Sequence, residues 1–408
     1  MTTEATFDPF AAGFAASPYE QYRALRQQGP THRMAAEVVL LTQHRACFEL
    51  LRMPGTSVDE RNATVDLGGP RPDDVVERHG DRGRHAILNL DPPDHTRLRR
   101  LVSSAFTVRR VEQLRPRVRA LAAALLDDVA AAGGGGEPVD LIACYAFPLP
   151  FTVIHDLLGM PDGDRDQVRA WSHLIVRFLE PISTPDDLRE AAVASDAMDA
   201  HIREAIAWKR RNPADDLLSA LIAAEDDGDR LSVPELVDQV RLLYMAGHET
   251  TVNLIGNSTL ALLRHREQFE LLAGNPALDS PAVDELLRYD SPVQLSRRIA
   301  LTKIELEDDT VGPGDLVVTL LGSANRDEAE WGPTADRLDL RREGTNAQLS
   351  FGSGIHHCLG AALARLQGSE ALPALVRRFP RLAEADGVAW NGRVVLRGLD
   401  VLPVTLHG

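Results

Sequence analysis

Apolar positions recur at helical spacing from Val108 to Ala132, and the four glycines at 133–136 end the pattern, which predicts one long helix over that stretch. A second, mostly helical stretch runs from Pro181 to Arg211. The clearest helix opens at Ser232-Val-Pro-Glu235, where Ser232 is placed to cap, Glu235 to reach back in a capping box, and Pro234 to occupy the first turn. Its periodicity continues to about Arg264, on the order of 50 Å of helix at 1.5 Å per residue, enough to cross a whole domain. Strand signals are fewer: Ile304-Glu-Leu-Glu307 and Leu316-Val-Val-Thr-Leu320 lie on either side of the turn residues Gly312-Pro313-Gly314-Asp315. Between Ser57 and Asn89 the chain is polar and rich in Asp, Arg, Gly and Pro, a composition that does not support a packed element and marks a long functional or disordered loop. With neither an internal repeat nor a linker-like change of composition, the pattern predicts one mainly α domain over residues 1–408 with a minor β region.

Charge narrows the partners. The 408 residues carry 44 basic and 60 acidic side chains, a net −16, which argues against nucleic acid and against an anionic membrane surface. No run of about 18 apolar residues could span a bilayer. The three cysteines, Cys47, Cys144 and Cys358, are too few and too scattered for a disulfide framework or a four-cysteine zinc site, so a reducing cytoplasm is expected. Lysine occurs only at Lys209 and Lys303 among the 44 basic residues, an arginine bias that points to GC-rich, bacterial coding.

Four constellations carry chemistry. In Phe351-Gly-Ser-Gly-Ile-His-His-Cys-Leu-Gly360, Cys358 stands just before the helix formers Ala361-Ala-Leu-Ala-Arg365. Unpaired amides and the helix dipole there favour an anion and are expected to lower a thiol pKa, while glycines let backbone approach a flat ligand. A buried structural cysteine is the alternative; zinc is disfavoured, because adjacent His356, His357 and Cys358 cannot all turn to one tetrahedral ion. Glu285-Leu-Leu-Arg288 follows Ser280-Pro281 and places two opposite charges three apart on one helix face. On the long helix, Ala246-Gly-His-Glu-Thr-Thr251 sets Gly247 where glycine costs about 1 kcal/mol relative to alanine, and gives Thr250 a hydroxyl that can compete for backbone carbonyls. Small residues for close packing are the alternative reading for Gly247 and Gly256. Finally, Asp91-Pro-Pro-Asp94 reads as a helix start with an aspartate cap, which places His95 and Arg99 on one face, with Arg97 and Arg100 as solvated charges.

The decapeptide around Cys358 resembles the Phe-x-x-Gly-x-His/Arg-x-Cys-x-Gly haem-ligand pattern of the cytochrome P-450 family at every fixed position. Glu285 and Arg288, 73 residues before Cys358, are similar to that family's Glu-x-x-Arg pair, and Ala246 to Thr250 to its Ala-Gly-x-Glu/Asp-Thr motif. The likeness extends from about Asp8 to Leu406 and departs at Gln367, where an acidic residue is usual; the change is expected to remove only a surface charge.

The resemblance implies a single-domain fold with haem between the long helix and the helix after Cys358. It implies haem b ligated by Cys358, propionates held by His95, Arg99, Arg298 and His356, and close contacts from Phe351, Gly352, Gly360, Ala246 and Gly247. Glu249 would relay protons and Thr250 orient water, while Glu285 and Arg288 would have a folding role, joined by a basic residue from Asn325-Arg326-Asp327 or Asp336-Arg337-Leu338. The implied activity is O2-dependent oxidation of a hydrophobic or amphipathic molecule, such as a polyketide, terpenoid or steroid, with electrons from a ferredoxin-type donor. A soluble, cytoplasmic monomer is expected. Specificity would reside in Ser57 to Asn89, a candidate lid, in Arg177 to Asp186, in Leu242 to Thr250, and in Val293 to Ser296. A peroxide-driven oxygenase and a haem-thiolate sensor are the alternatives. His248 is expected to face a pocket, and Cys47 and Cys144 to pack as small hydrophobes.

Overall fold

The computed structural model describes residues 6–35, 37–65, 72–79, 83–161, 165–226 and 229–407. Helices dominate, and the longest, Val233–Arg264, runs through the middle of the largest hydrophobic cluster. It begins as the capping pattern dictates: the Ser232 hydroxyl accepts from the Glu235 N–H at 3.4 Å and the Glu235 carboxylate accepts from the Ser232 N–H at 2.7 Å. Its close neighbours are helix Pro148–Leu158 on one side and helix Ala361–Arg378 on another.

The two glycines of this central helix serve packing. A Cβ at Gly247 would stand 2.8 Å from Ile154 Cδ1, and one at Gly256 would stand 2.8 Å from Ile142 Cδ1. Farther along, the helix buries polar side chains. The Asn257 amide donates to the Arg397 carbonyl at 3.1 Å, and Gly398 lies so close to Asn253 that no Cβ would fit between them.

Elsewhere the apolar pattern needed correction. The stretch from Val108 to Ala132 is two helices, Val108–Gln113 and Arg115–Ala132, because Pro116 has no N–H to continue the first and instead starts the second. The stretch from Pro181 is helical only from Pro185 to Arg211, after a Thr184–Asp187 capping box. Both expected strands form, but in different sheets. Leu316–Leu320, wholly buried, pairs parallel with Val38–Leu41 and antiparallel with Leu295–Ala300, whereas Ile304–Glu305 pairs with Thr310–Val311.

The polar segment from Ser57 to Asn89 is not one featureless loop. Its residues 66–71 and 80–82 lie outside the described ones, but Asp73–His79 is a helix and Ile87–Asn89 a helical turn. A few anchors suffice despite the polar composition: Val75 and Ile87 are buried, and the Asp238 carboxylate on the central helix accepts the N–H groups of Gly83 and His85 at 3.3 and 3.1 Å. Arg97 is not a free solvated charge either. It pairs with Glu235 and, at 3.2 Å, with Asp229, tying helix Asp94–Ala105 to the start of the central helix.

Candidate active site

The loop before helix Ala361–Arg378 is folded by its own glycines. Gly352 and Gly354 have φ of +65° and +71°, in the left-handed region that side chains disfavour. The Cys358 N–H donates to the Phe351 carbonyl at 2.9 Å, closing the loop. The Phe351 ring packs on Leu254, Val283 and Leu287 and carries the Arg365 guanidinium 4.6 Å from its centroid.

Gly354 is pressed against the end of helix His44–Arg52: a Cβ there would meet the Leu51 carbonyl oxygen at 2.5 Å. Gly354→Ala is therefore expected to cost about 2–5 kcal/mol, from the left-handed backbone and the overpacking together. Thermal melting of the variant checks this; an unchanged midpoint would show that the loop yields freely.

Cys358 keeps accessible surface, while the protein around it desolvates the sulfur. That burial pushes the thiol up, against the pull of the Gly360 and Ala361 N–H groups and of the Arg99 and Arg365 charges. This corrects the expectation from the helix terminus alone, since desolvation outweighs the dipole.

Beside the cysteine lies a cluster of cation-capable groups. His95 is 2% exposed, its ring centroid is 4.2 Å from that of His356, and neither of its ring nitrogens has a hydrogen-bond partner among the described residues. Arg298 is 5% exposed and, among the described residues, donates only to the carbonyl of Arg297 at 2.7 Å and to the Ser296 hydroxyl at 3.4 Å. Arg99 donates to the His357 carbonyl at 2.5 Å.

Burial lowers Arg298 to about 10 and, reinforced by His95, Arg298 and Arg99, lowers His356 to about 3. Asp91 faces this cluster, yet its carboxylate accepts from the Val58 N–H at 2.9 Å and from the Ser57 hydroxyl, and it does not cap a helix as its sequence suggested. The helix starts only after both prolines, at Asp94, and Asp91 contributes its carbonyl to the His95 N–H. A cleft of about 640 Å³ lined by Arg298, His356, Asp91 and Ile355 opens onto the cluster. Desolvated donors that form no ion pair with a carboxylate among the described residues fit the two propionates of a haem whose iron Cys358 would ligate.

On the central helix, Ala246 is exposed and Thr250, one turn on along the same face, is half-buried; the Thr250 hydroxyl donates to the Ala246 carbonyl at 2.9 Å. Gly247, half-buried, lies against Ile154, where an added Cβ would stand 2.8 Å from its Cδ1. His248 is fully buried among Phe147, Phe151 and Tyr244, with Nδ1 2.8 Å from the Tyr244 carbonyl, so it packs between helices and does not line a pocket.

Glu249 is 9% exposed, with Arg393 Nη1 at 3.4 Å and His248 Nε2 at 3.6 Å. Burial opposes its ionisation, but His248, Arg393 and His173 together bring the carboxyl down to about 2. Arg393 was invisible to motif reading, lying 144 residues away in a segment with no pattern of its own.

Glu285 and Arg288 are fully buried and paired through two contacts of 2.6 and 2.9 Å. Arg288 also donates to the carbonyls of Asn325, Ala335 and Arg337 at 2.7–2.9 Å. The guanidinium that joins the pair belongs to Arg342, 3.3 Å from Glu285, and not to Arg326 or Arg337. Arg326 stacks between Tyr19 and Tyr289, and Arg337 offers only its carbonyl. Gln367 is not on the surface: it is fully buried in helix Ala361–Arg378, and neither amide atom has a hydrogen-bond partner.

Comparison with known proteins agrees with this geometry. A family model described as Cytochrome P450 matches residues 64–273 and 278–387. The chain is 43% identical over 406 residues to Cytochrome P450 107B1 of Saccharopolyspora erythraea, covering 97% of this chain and 96% of that one. It is 41% identical to Vitamin D(3) 25-hydroxylase of Pseudonocardia autotrophica, covering 100% and 98%, and 40% identical to the monooxygenase PikC of Streptomyces venezuelae, covering 96% and 91%. Among solved structures, the bacillaene polyketide synthase cytochrome P450 PksS of Bacillus subtilis superposes with a TM-score of 0.87 at 35% identity, over 99% of this chain and 100% of that one.

Proposed function

Because the chain belongs to the cytochrome P450 family and is a haem b monooxygenase, we propose that it hydroxylates a hydrophobic or amphipathic secondary metabolite of polyketide, terpenoid or steroid type, with electrons from a ferredoxin and its reductase. Haem b, when bound, supplies the reduction of O2 and the insertion of one oxygen atom into the substrate, which thiolate ligation favours.

Cys358 would hold the iron, and His95, Arg99, Arg298 and His356 the propionates. Phe351, Gly352 and Gly360 shape the ligating loop, and Ala246, small and exposed on the central helix, would leave room for the haem. Thr250 holds a proton at Oγ1, donated at rest to the Ala246 carbonyl, and would free it for transfer by rotating about its first side-chain torsion. Glu249, kept ionised, accepts a proton from the solvent side and returns it toward Thr250. The observation that carries the reading is the partnerless nitrogens of His95 beside Arg298, His356 and an accessible Cys358.

The substrate class draws on the relatives named for vitamin D3 and for polyketide biosynthesis. We also read residues 1–408 as one domain, since a single cluster joins side chains from Val102 to Leu406, and as a cytoplasmic monomer with three unpaired cysteines. No helix among the described residues is long and apolar enough to cross a membrane.

Optical titration with macrolactones, terpenes and vitamin D3 tests the substrate class by the shift of the haem to high spin; no response from any of the three would overturn it. Turnover supported by peroxide but not by ferredoxin, reductase and NADPH would overturn the electron source. Thr250→Ala should cut product per NADPH by about 10- to 100-fold, with the lost electrons recovered as hydrogen peroxide. Unchanged product yield would remove Thr250 from the proton path.

A further inference from the structure

Glu180 is a buried carboxylate that this scheme leaves unused. It follows the helical turn Val176–Leu179, in the connection between helices Arg165–Ile175 and Pro185–Arg211, and is 6% exposed. Its oxygens accept three consecutive backbone N–H groups: Val394 at 2.8 Å and Val395 at 3.0 Å on Oε2, and Leu396 at 2.9 Å on Oε1. Such charge-assisted bonds are about twice as strong as neutral ones.

The segment they hold begins one residue earlier with Arg393. That guanidinium reaches Glu249 at 3.4 Å and His173 Nδ1, on helix Arg165–Ile175, at 3.1 Å. The segment is also tied to the chain after the Glu285 helix: the Gln294 N–H donates to the Val395 carbonyl and the Arg397 N–H to the Pro292 carbonyl, both at 2.9 Å.

We propose that Glu180 is a positioning residue for proton delivery: by anchoring the 394–396 backbone it holds Arg393 against Glu249, so that the connection between helices Arg165–Ile175 and Pro185–Arg211 controls where that carboxylate points. The proposal rests on reading Glu249 as the proton relay. A long arginine on a free backbone would lose backbone as well as side-chain entropy on docking, and the anchor has already removed the backbone share.

The titratable and charged groups facing Glu249 are His248 from its own helix, Arg393 from the anchored segment and His173 from helix Arg165–Ile175; Asp400 and Arg177 act on His173 in turn. Releasing Arg393 removes one of the influences that keep Glu249 ionised. The carboxylate is lost as pH falls through its pKa, so raising that pKa moves the acid limb of the activity profile to higher pH.

The test uses haem-loaded Glu180→Gln, Arg393→Gln, Glu249→Gln and the Glu180→Gln/Glu249→Gln double variant, with a plant-type ferredoxin, its reductase, NADPH and vitamin D3 as probe. Readouts are hydrogen peroxide per NADPH oxidised, its pH profile, and hydrogen exchange at the 394–396 amides. In Glu180→Gln the three amides should exchange faster, peroxide should rise several-fold, and the acid limb should move to higher pH. The double variant should be no more uncoupled than Glu249→Gln alone, since both changes act through one group.

If Glu180→Gln does not load haem, Arg393→Gln must reproduce the uncoupling while leaving the 394–396 amides protected. Multiplying effects in the double variant, or 394–396 amides that exchange no faster in Glu180→Gln, would overturn the positioning role. A coupled Glu249→Gln would overturn the relay itself, an outcome visible in that single variant without reference to Glu180.

Discussion

Cys358→Ala is expected to yield a folded protein without oxygenase activity. Its reduced form with carbon monoxide should lack the red-shifted absorption band that gives the family its name, and O2-driven turnover should fall by about 10³-fold or more, equivalent to roughly 4 kcal/mol of transition-state stabilisation. The fold should survive because the side chain of Cys358 belongs to none of the hydrophobic clusters and keeps accessible surface. Its loop is held by other groups: the N–H of residue 358 on the Phe351 carbonyl, the Phe351 ring on Leu254 and Val283, and Gly354 against Leu51. Circular dichroism matching the unaltered protein, together with a missing band, is the expected pair of results. Retention of the band would place the iron's sulfur ligand elsewhere and undo the site.

Glu285→Ala is expected to destabilise the protein more than any surface change. It would leave the Arg288 guanidinium, fully buried, facing three carbonyls with no counter-charge, and would strand the Asp339 N–H and Arg342, which also use Glu285. Removing one member of such a buried pair costs about 3–5 kcal/mol, against a total of about 5–15 kcal/mol for an ordinary domain. Little soluble, haem-loaded protein should therefore be recovered, and what remains should unfold at much lower denaturant. Arg288→Lys should fail almost as badly, since one ammonium cannot serve the fork of contacts that Arg288 makes. A denaturation midpoint unchanged by Glu285→Ala would mean that the pair has no folding role.

The features legible beforehand were those whose partners lie within a few residues. Ser232 with Glu235, Glu285 with Arg288, and the glycines around Cys358 are local devices, and local spacing is what a chain displays openly. The family likeness extended this to the overall architecture.

What stayed hidden depends on topology. Arg342 and not Arg337 reaches Glu285, and Arg393 meets Glu249, because loops return to the same place from far along the chain. Burial was hidden as well. The thiol of Cys358 moved opposite to the expectation because desolvation is a property of the whole surround, and Gln367 looked like a surface residue because its neighbours in sequence do not reveal which helix face packs. Between Ser57 and Asn89, composition understated order because Val75, Ile87 and the Asp238 carboxylate, few as they are, fasten most of what is described there.

The polar second half of the central helix works as a key in a keyway. With Asn257 latched to the Arg397 carbonyl and Asn253 filling the space beside Gly398, a slip by one residue would turn the helix by about 100° and advance it about 1.5 Å, parting Asn257 from that carbonyl and moving Asn253 out of its place. The rotational phase of Thr250 is thus set by two asparagines one and two turns downstream, which touch nothing in the reaction yet decide the direction in which its hydroxyl faces.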